Sequence, residues 1–309
     1  MKNKTLAIAI PTFNRAEIVY DCLSLLITEV VEYSIPIFIS DNSSNSDTKA
    51  VFDAMKGRYK YLFYYKNTTD LGHDKNSFYV AKLPKTDYVW LLGDSFSLKK
   101  GAIKNVLHII ENNKPDIMSV NAANRDLDKK SGLYTDCNDI LNDLAWHITL
   151  TGATIYSRKA LSTIDQVEVQ NFKNFPQIAL IFNFLSENCS YYWDNNKWLI
   201  ASPKKRGYWV STMFSIFIDD WSNAIRNLPG CYEKNIKEHV IIDHSLRSNI
   251  FSFKSLLKAR CLGFYDLKLF LKYNGALLNH SRLNVVTLMM ISLFPRIFLR
   301  TFLLIKATK

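Results

Sequence analysis

The sequence predicts an α/β fold in which helices flank a mostly parallel sheet and a helical region follows. Short apolar runs alternate with helically spaced apolar residues through the first half of the 309-residue chain, which is typical of βαβ units. After about residue 210 the spacing is helical almost throughout. We therefore predict two domains, at residues 1–210 and 211–309.

The first β-loop-α unit begins with an apolar run at residues 6–10, which ends at Pro11. Residues 16–28 then carry apolar side chains at helical spacing. The same alternation predicts later strands at residues 35–40, 61–65, 88–92, 117–120 and 151–156, with helices at 47–55, 76–83, 101–112, from Arg158 onward and at 175–186.

A polar stretch at residues 124–143 predicts an excursion from the sheet. In the C-terminal region the apolar spacing predicts four helical segments, at residues 211–227, 232–249, 252–272 and 280–306.

The formal net charge of +11 favours a polyanionic partner such as nucleic acid, anionic lipid or a diphosphate. The five cysteines form no CxxC pair, and the apolar run before Pro11 is too short for a secretory signal, so we expect a reduced, cytoplasmic location. The apolar stretch at residues 283–305 is interrupted by Pro295, Arg296 and Arg300. It therefore predicts an interfacial helix at the inner face of a membrane.

Ligands of open parallel sheets bind at the carboxyl ends of the strands, so the residues after each apolar run are candidates. The loop after the first strand contains no glycine, which excludes a GxGxxG dinucleotide loop there. The candidate residues after this strand are Pro11, Thr12, Phe13, Asn14 and Arg15.

Three further strand ends are polar. Asp41 and Asn42 follow the second, and a carboxylate there can accept a hydrogen bond from a base. The third is followed by NTTDLGHDKN, and the fourth by an acid that could bind a metal beside a diphosphate. Each of these residues, taken alone, is equally consistent with a turn or a helix cap. Their occurrence together and in this order along the chain favours a functional site. The candidates at these last two ends are Gly72, Lys75, Asn76, Gly93, Asp94 and Ser95.

The ordered set IAIPTFNR, ISDNSS, N...LG..KN and YVWLLGD....LKKGAI resembles the donor-binding half of family 2 glycosyltransferases, which have the GT-A fold. It is similar in particular to the O-antigen and capsule subgroup with a strand ending in WLLGD. The resemblance spans residues 5–160. It implies that Thr12, Asn14 and Arg15 line the nucleotide, that Asp41 reads the base and that Asp94 lies beside the diphosphate.

The resemblance fails at two points. Family members commonly carry several acids after this strand, whereas here only Asp94 is present, so we expect Mg²⁺ or Mn²⁺ at Asp94 with weaker metal dependence. The family's catalytic acid pair falls on residues 175–176, which are Phe and Pro. Asp165 and Glu168 are the nearest candidate bases, and His147 is a less favoured one.

The leading hypothesis is a non-processive, inverting glycosyltransferase that moves one sugar from a nucleotide-sugar donor to a lipid-linked or polysaccharide acceptor at a membrane surface. The sequence has no QxxRW motif of the processive synthases. A degenerate family member that only binds a partner or a sugar nucleotide is the alternative. A nucleic-acid-binding protein ranks last, since its basic residues are dispersed and form no known motif.

Overall fold

The computed structural model describes residues 3–125, 127–204 and 209–296. They form two compact units. The first comprises Met1–Lys205 with Leu228–Tyr232, and the second comprises Arg206–Asn227 with Glu233–Lys309.

The first unit contains a nine-stranded sheet among its described residues, and its strands follow the predicted alternation through the first half. The strands are β1 (Leu6–Thr12), β2 (Ile37–Asp41), β3 (Leu62–Lys66), β4 (Tyr88–Leu91), β5 (Phe96–Leu98), β6 (Ile117–Ala122), β7 (Gly132–Tyr134), β8 (Thr154–Ser157) and β9 (Tyr191–Ala201).

The spatial order of the sheet is β3-β2-β1-β4-β8-β6-β9-β5, with β7 also paired to β9. Strands β3, β2, β1 and β4 are parallel neighbours, and β8 is antiparallel to both β4 and β6. The predicted α/β fold is thereby confirmed. Strands β5 and β9 were not predicted, and the polar stretch 124–143 contains β7 and the start of a helix.

Helices cover this sheet because each buries one apolar face on it. Helix α1, for example, buries Val19, Cys22, Leu23 and Leu26, which lie in one cluster with the apolar side chains of β1 and β2. The α-helices of this unit are α1 (Ala16–Val30), α2 (Asp47–Lys56), α3 (Gly72–Lys82), α4 (Ala102–Asn113), α5 (Cys137–Ile148), α6 (Arg158–Leu161) and α7 (Pro176–Glu187).

The second unit is helical in its described residues and has its own apolar cluster, in which Phe214 stacks on Tyr265 and Tyr273. A π-helix, Ser215–Asp220, leads directly into the first α-helix. The α-helices are α8 (Trp221–Arg226), α9 (Lys234–Ser248), α10 (Phe253–Leu262), α11 (Leu267–His280) and α12 (Val285–Leu293).

Two predicted helices of this unit are wrong in extent. The segment 252–272 is broken at Gly263, whose φ of 89° is left-handed and ends α10, and Asp266 then caps α11. The segment 280–306 contains α12, which ends at Leu293 just before Pro295. Arg300 and Lys306 of the predicted interfacial helix lie outside the described residues.

Candidate active site

The carboxyl ends of β1, β2 and β4 bring three predicted residues together. Thr12 is the register partner of Asp41 in the parallel ladder of β1 and β2. The Thr12 hydroxyl also donates a 2.9 Å hydrogen bond to Oδ2 of Asp94, three residues beyond β4. Asp41 and Asp94 therefore lie at the same edge of the sheet, on either side of Thr12. We call this group, with the adjoining Arg15, Asn42 and Asn76, the strand-end site.

Asp94 is 6% exposed, and both of its oxygens accept hydrogen bonds. Oδ2 accepts from Thr12, and Oδ1 lies 3.2 Å from Nη1 of Arg15, which forms an ion pair with it. Burial raises the pKa of Asp94 above its usual value, and the charge of Arg15 offsets this only in part. The Arg15 side chain is 32% exposed, so it is partly accessible to solvent.

Asp41 is fully buried and organises the loop after β2. Its Oδ1 accepts from the backbone N–H of Ser43 at 2.9 Å, and its Oδ2 accepts from the Tyr64 hydroxyl at 2.7 Å and from Lys66 Nζ at 3.0 Å. Burial acts to raise the pKa of Asp41, but these hydrogen bonds outweigh it and hold the pKa below the usual value. Asp41 thus lies in the site with its carboxylate committed to internal donors.

A network of amide side chains joins β2 to the start of α3. The Asn76 Oδ1 accepts from the Ser40 hydroxyl at 2.6 Å and from Asn67 Nδ2 at 2.9 Å. The Asn42 Oδ1 accepts from Asn67 Nδ2 and from the N–H of Leu71, each at 3.0 Å. The predicted residues Asn42 and Asn76 therefore hold the amino end of α3 against the strand ends.

Helix α3 begins four residues earlier than the predicted residue 76, at Gly72. Gly72 has a φ of 74°, which favours glycine, and its N–H donates to Oδ1 of Asp70 at 2.7 Å. The first turn of α3 carries His73, Asp74 and Lys75.

His73 and Asp74 form a pair that the sequence analysis did not single out. Nδ1 of His73 lies 3.1 Å from Oδ1 of Asp74, and Oδ2 of Asp74 accepts from the backbone N–H of Asn174 at 3.0 Å. Lys75 is exposed beside them. The run GHDK was visible in the sequence, but its place in the first turn of a helix follows only from the start of α3 at Gly72.

The remaining predicted residues lie around this edge. Pro11 is within β1, and Phe13 is 49% exposed. Asn14 has a φ of 51°, and its N–H donates to the Ser43 hydroxyl at 2.7 Å. A Cβ on Gly93 would lie 3.3 Å from the ring of Phe96, so the turn after β4 has little room for a side chain. Ser95 is buried in the same turn.

Asp165, which was predicted as a candidate base, is not brought to the strand-end site. Its side chain is 79% exposed and forms a 2.7 Å ion pair with Lys82, the last residue of α3. Since an α-helix rises about 1.5 Å per residue, Lys82 lies about 15 Å along the helix from Gly72. Asp165 is therefore at the opposite end of α3 from the site.

The other two candidate bases also lie in other surroundings. Glu168 is exposed, and its carboxylate accepts a hydrogen bond from Asn171 Nδ2 at 2.5 Å. His147 is fully buried at the end of α5, with Nε2 2.9 Å from the Val120 carbonyl. Burial lowers its pKa to about 3, so it is a core histidine. Helix α7 begins at Pro176, so Phe175 and Pro176 occupy the helix start at which the family's acid pair was expected.

The residues of the strand-end site fit a divalent cation poorly. In the described ranges no group of three or more His, Cys, Asp and Glu side chains could hold a metal ion. Asp94 is the acid at the end of β4, and its Oδ1 already faces the guanidinium of Arg15. A metal ion at that oxygen would have to displace Arg15, because two cations cannot share it without repulsion.

Comparison with known proteins places the first unit in a family. The model for "Glycosyl transferase family 2" matches residues 7–164, about half of the chain. Abequosyltransferase RfbV of Salmonella typhimurium is 32% identical over 100 residues. That alignment covers 32% of this chain and 30% of the relative, so the chain matches about a third of the relative's length.

Solved structures share the fold at low sequence identity. TarS residues 1–349 of S. aureus, in complex with UDP-GlcNAc, has a TM-score of 0.57 at 12% identity, covering 89% of each chain. The mannosyltransferase PcManGT of Pyrobaculum calidifontis, in complex with GDP-Man and Mn²⁺, also has a TM-score of 0.57 at 12% identity, covering 98% of this chain and 87% of that one. At these identities the similarity shows the fold alone, and the predicted GT-A fold is confirmed.

Proposed function

The chain belongs to glycosyl transferase family 2, and on that premise we propose that it transfers one sugar from a nucleotide-sugar donor to an acceptor hydroxyl, with inversion at the anomeric carbon. The observation that carries the proposal is the convergence of Thr12, Asp41 and Asp94 at one sheet edge. A relative described as an abequosyltransferase and structural neighbours solved with UDP-GlcNAc and GDP-Man support it.

The nucleoside of the donor lies over the loop after β1 in this proposal. Phe13 offers an exposed aromatic ring on which a base can stack. Asp41 acts indirectly, because its carboxylate holds Ser43 and Lys66, and Lys66 in turn binds the carbonyl oxygens of Ser43 and Asn45. It thereby fixes the loop that faces the nucleoside.

The diphosphate is held by positive charge at the same edge. The partly exposed side chain of Arg15 ends in a planar guanidinium that suits phosphate oxygens, and the exposed Lys75 supplies a second cation. Helices α1 and α3 both begin at this edge, and backbone N–H groups at a helix start favour an anion. Arg15 occupies the carboxylate oxygen of Asp94 that a metal ion would need, so in this proposal these cations and helix starts neutralise the diphosphate.

The acceptor is lipid-linked in this proposal, and the second unit binds the membrane surface. Residues 245–296 contain eight Lys and Arg against one Asp. The packed helices α11 and α12 leave large apolar side chains exposed, up to 61% for Leu271 and 62% for Met290. Apolar side chains among excess positive charge suit the headgroup region of an anionic bilayer. Among the helices described, none is both long and apolar enough to span one.

A transfer assay tests the activity. The purified protein is incubated with radiolabelled UDP-, GDP-, CDP- and dTDP-sugars and a membrane extract, in parallel with Asp94→Ala. We expect label from one donor class to enter the lipid fraction with the wild-type protein and to be strongly reduced with the variant. Binding of a sugar nucleotide without transfer to any extract would instead favour the non-catalytic alternative.

A further inference from the structure

The second unit contains a pocket that is lined by the π-helix Ser215–Asp220 and by helices α8, α9 and α11. Its volume is about 530 Å³, which lies within the range of about 300–1,000 Å³ that is usual for small-molecule sites. The residues that line it all belong to the second unit. We call it the helical pocket, and it is distinct from the strand-end site of the first unit.

The floor of the helical pocket combines apolar side chains with a hydroxyl. Ile218 and Ile241 line it and are buried, and Ser222 is buried beside them. Within the described part of the chain, the Ser222 hydroxyl makes no hydrogen bond. Apolar carbon next to an uncommitted hydroxyl suits a ligand that has both C–H faces and polar groups.

His280 presents one uncommitted ring nitrogen at the same pocket. The residue is 5% exposed, and its Nδ1 lies 2.8 Å from the hydroxyl oxygen of Ser245. Its Nε2 makes no hydrogen bond to any residue that the structure describes. Burial, assisted by the charge of Arg226, lowers the pKa of His280, so the ring is neutral near pH 7. A buried polar atom normally has a partner, and a ligand in the pocket that His280 lines would supply one.

Other polar groups of the pocket are also available to a ligand. Asp219 accepts a 2.6 Å hydrogen bond from the Tyr273 hydroxyl with Oδ2, and its Oδ1 has no donor among the described residues. Asn223 and Asn279 are exposed at the rim, and their side chains make no hydrogen bond to residues in the described ranges. An amide provides both a donor and an acceptor, and a carboxylate provides an acceptor. The pocket therefore offers donors and acceptors together.

The charges of the helical pocket disfavour an anion. Nε and Nη2 of Arg226 donate to the two carboxylate oxygens of Glu238, each at 2.9 Å. This cation is therefore already neutralised, and Asp219 adds negative charge to the lining. A phosphate would be repelled by Asp219 and would have to compete with Glu238 for Arg226. A neutral ligand with several hydroxyl groups fits better, because each hydroxyl both donates and accepts.

We propose that the helical pocket is a saccharide subsite, which binds a neutral sugar residue of the acceptor. The hydroxyl groups of the sugar bond to Asn223, Asn279, Asp219 and Nε2 of His280, and its C–H face lies on the apolar floor. The chemical class of the ligand follows from the lining of the pocket, whereas its place in the acceptor rests on the proposed function. The second unit would then recognise the carbohydrate part of a lipid-linked acceptor in addition to the membrane surface.

Saturation-transfer difference NMR on the full-length protein tests whether the pocket binds sugar. The probe is the neutral oligosaccharide fraction released by mild acid from the membrane extract of the transfer assay, with spermidine and inorganic phosphate as charged comparisons. We expect saturation transfer to sugar protons with the wild-type protein, and none to spermidine that Asp219→Asn abolishes. Asn279→Ala, which removes an exposed amide, should weaken sugar binding by about 2-fold to 10-fold, the equivalent of one hydrogen bond.

Gly275→Phe is the variant designed to fill the pocket. Gly275 lies in α11 and lines the pocket, and a Cβ there would meet no heavy atom within 4 Å. Because glycine is a poor helix former, the change should not weaken α11, and the added ring should abolish sugar binding. Gly57→Phe is the matched control, since a Cβ at this exposed residue of the first unit also meets nothing within 4 Å. It should bind sugar as the wild type does.

Transfer kinetics then test whether the bound sugar belongs to the acceptor. In Gly275→Phe we expect the half-saturating amount of membrane extract to rise at least about 10-fold, the equivalent of the loss of two or more hydrogen bonds. The donor KM and the kcat at saturating extract should stay at the wild-type values, because the change lies outside the strand-end site. Gly57→Phe should leave all three quantities unchanged.

The outcomes separate this inference from the proposed function. Absence of saturation transfer to any sugar with the wild-type protein would overturn the saccharide subsite, whether or not the protein transfers sugar. Equal sugar binding by Gly275→Phe and the wild type would show that the sugar binds elsewhere. Binding of spermidine or phosphate that Gly275→Phe abolishes, without binding of sugar, would identify a site for a charged ligand instead. Loss of sugar binding in Gly275→Phe with an unchanged requirement for extract would remove the acceptor from the assignment. Sugar binding by a protein that transfers nothing would overturn the proposed function and leave the subsite in place.

Discussion

The hydroxyl of Thr12 donates a 2.9 Å hydrogen bond to Oδ2 of Asp94, and this bond joins the ends of β1 and β4. Asp94 is 82 residues away along the chain, so the bond forms only in the folded sheet. It also gives a buried carboxylate one of the two partners that it needs.

Replacing Thr12 by Val is expected to destabilise the protein. The variant leaves one buried oxygen of Asp94 without its donor, and such a loss lowers the free energy of unfolding by about 1–3 kcal/mol. Urea denaturation followed by circular dichroism measures it. Thr12→Ser retains the hydroxyl and is expected to lose much less. Equal stability of wild type and Thr12→Val would show that the bond contributes nothing.

Replacing Arg15 by Ala is expected to weaken binding of the diphosphate more than binding of the nucleoside. A charged hydrogen bond contributes about 1.5–3 kcal/mol, which corresponds to a loss of about 10-fold to 100-fold in affinity for the nucleoside diphosphate. Calorimetric titration with the nucleoside diphosphate and with the nucleoside alone separates the two. Arg58→Ala, at an exposed position of the same unit, serves as the control. Equal losses for both ligands would place Arg15 away from the phosphates.

The Arg15–Asp94 ion pair also predicts how transfer responds to metal ions. We expect transfer by the wild-type protein to continue in EDTA, because Arg15 already neutralises charge at Oδ1 of Asp94. In Arg15→Ala that oxygen is released, and added Mn²⁺ should then restore part of the lost activity. Initial rates of sugar transfer by the wild type and by Arg15→Ala, measured with EDTA, Mg²⁺ and Mn²⁺, test this prediction. A wild-type enzyme inactive in EDTA would mean that a metal ion replaces Arg15 during turnover.

Asp41 predicts a stability loss in acid. Its pKa is lower in the folded protein than the usual value, so the unfolded chain takes up a proton first as the pH falls. The stabilisation from Asp41 is therefore present at neutral pH and is lost as the pH falls below about 4, through the folded pKa. Unfolding free energies measured from about pH 5 to about pH 3 should fall more steeply for wild type than for Asp41→Asn. Asp53→Asn, at an exposed ion pair, should keep the wild-type slope.

The apolar surface of α12 predicts binding to anionic vesicles. Introducing Glu at Val286 and Met290, which are 56% and 62% exposed, should abolish cosedimentation with vesicles containing phosphatidylglycerol. Leu25→Glu, at a 55% exposed position of α1, is the matched control and should bind normally. Wild-type binding should weaken with salt and with neutral phosphatidylcholine vesicles. Unchanged binding of the double variant would exclude α12 as the contact.

Much of the sheet could be predicted because its parallel strands are continuous apolar runs. Buried strands such as β1, β2 and β4 are apolar along most of their length, and turn residues separate them from amphipathic helices. Strand β9 was not predicted, because its centre is the polar run DNNK. There Asp194 accepts hydrogen bonds from Asn105 and Trp198, which a sequence pattern does not reveal.

The site could be predicted only as far as strand ends determine it. Parallel strands end at one edge of a sheet, and this rule predicted correctly that Thr12, Asp41 and Asp94 lie close together. It could not place residues in loops, so Asp165, near in sequence to the expected acid pair, proved to face Lys82. Nor could it locate the His73–Asp74 pair, because that pair lies in the first turn of α3, which begins four residues before the predicted start.

The position of β9 between β6 and β5 limits how the chain can be shortened. The segment that matches the family ends at residue 164, well before β9 begins at Tyr191. A fragment cut there would lack β9 and would leave β6 as an open edge strand. It would also lose Trp193, which is fully buried and is the register partner of Ser119 in β6. Unpaired strand edges promote aggregation. Expression fragments of this protein should therefore extend beyond Ala201 to be recovered in folded form.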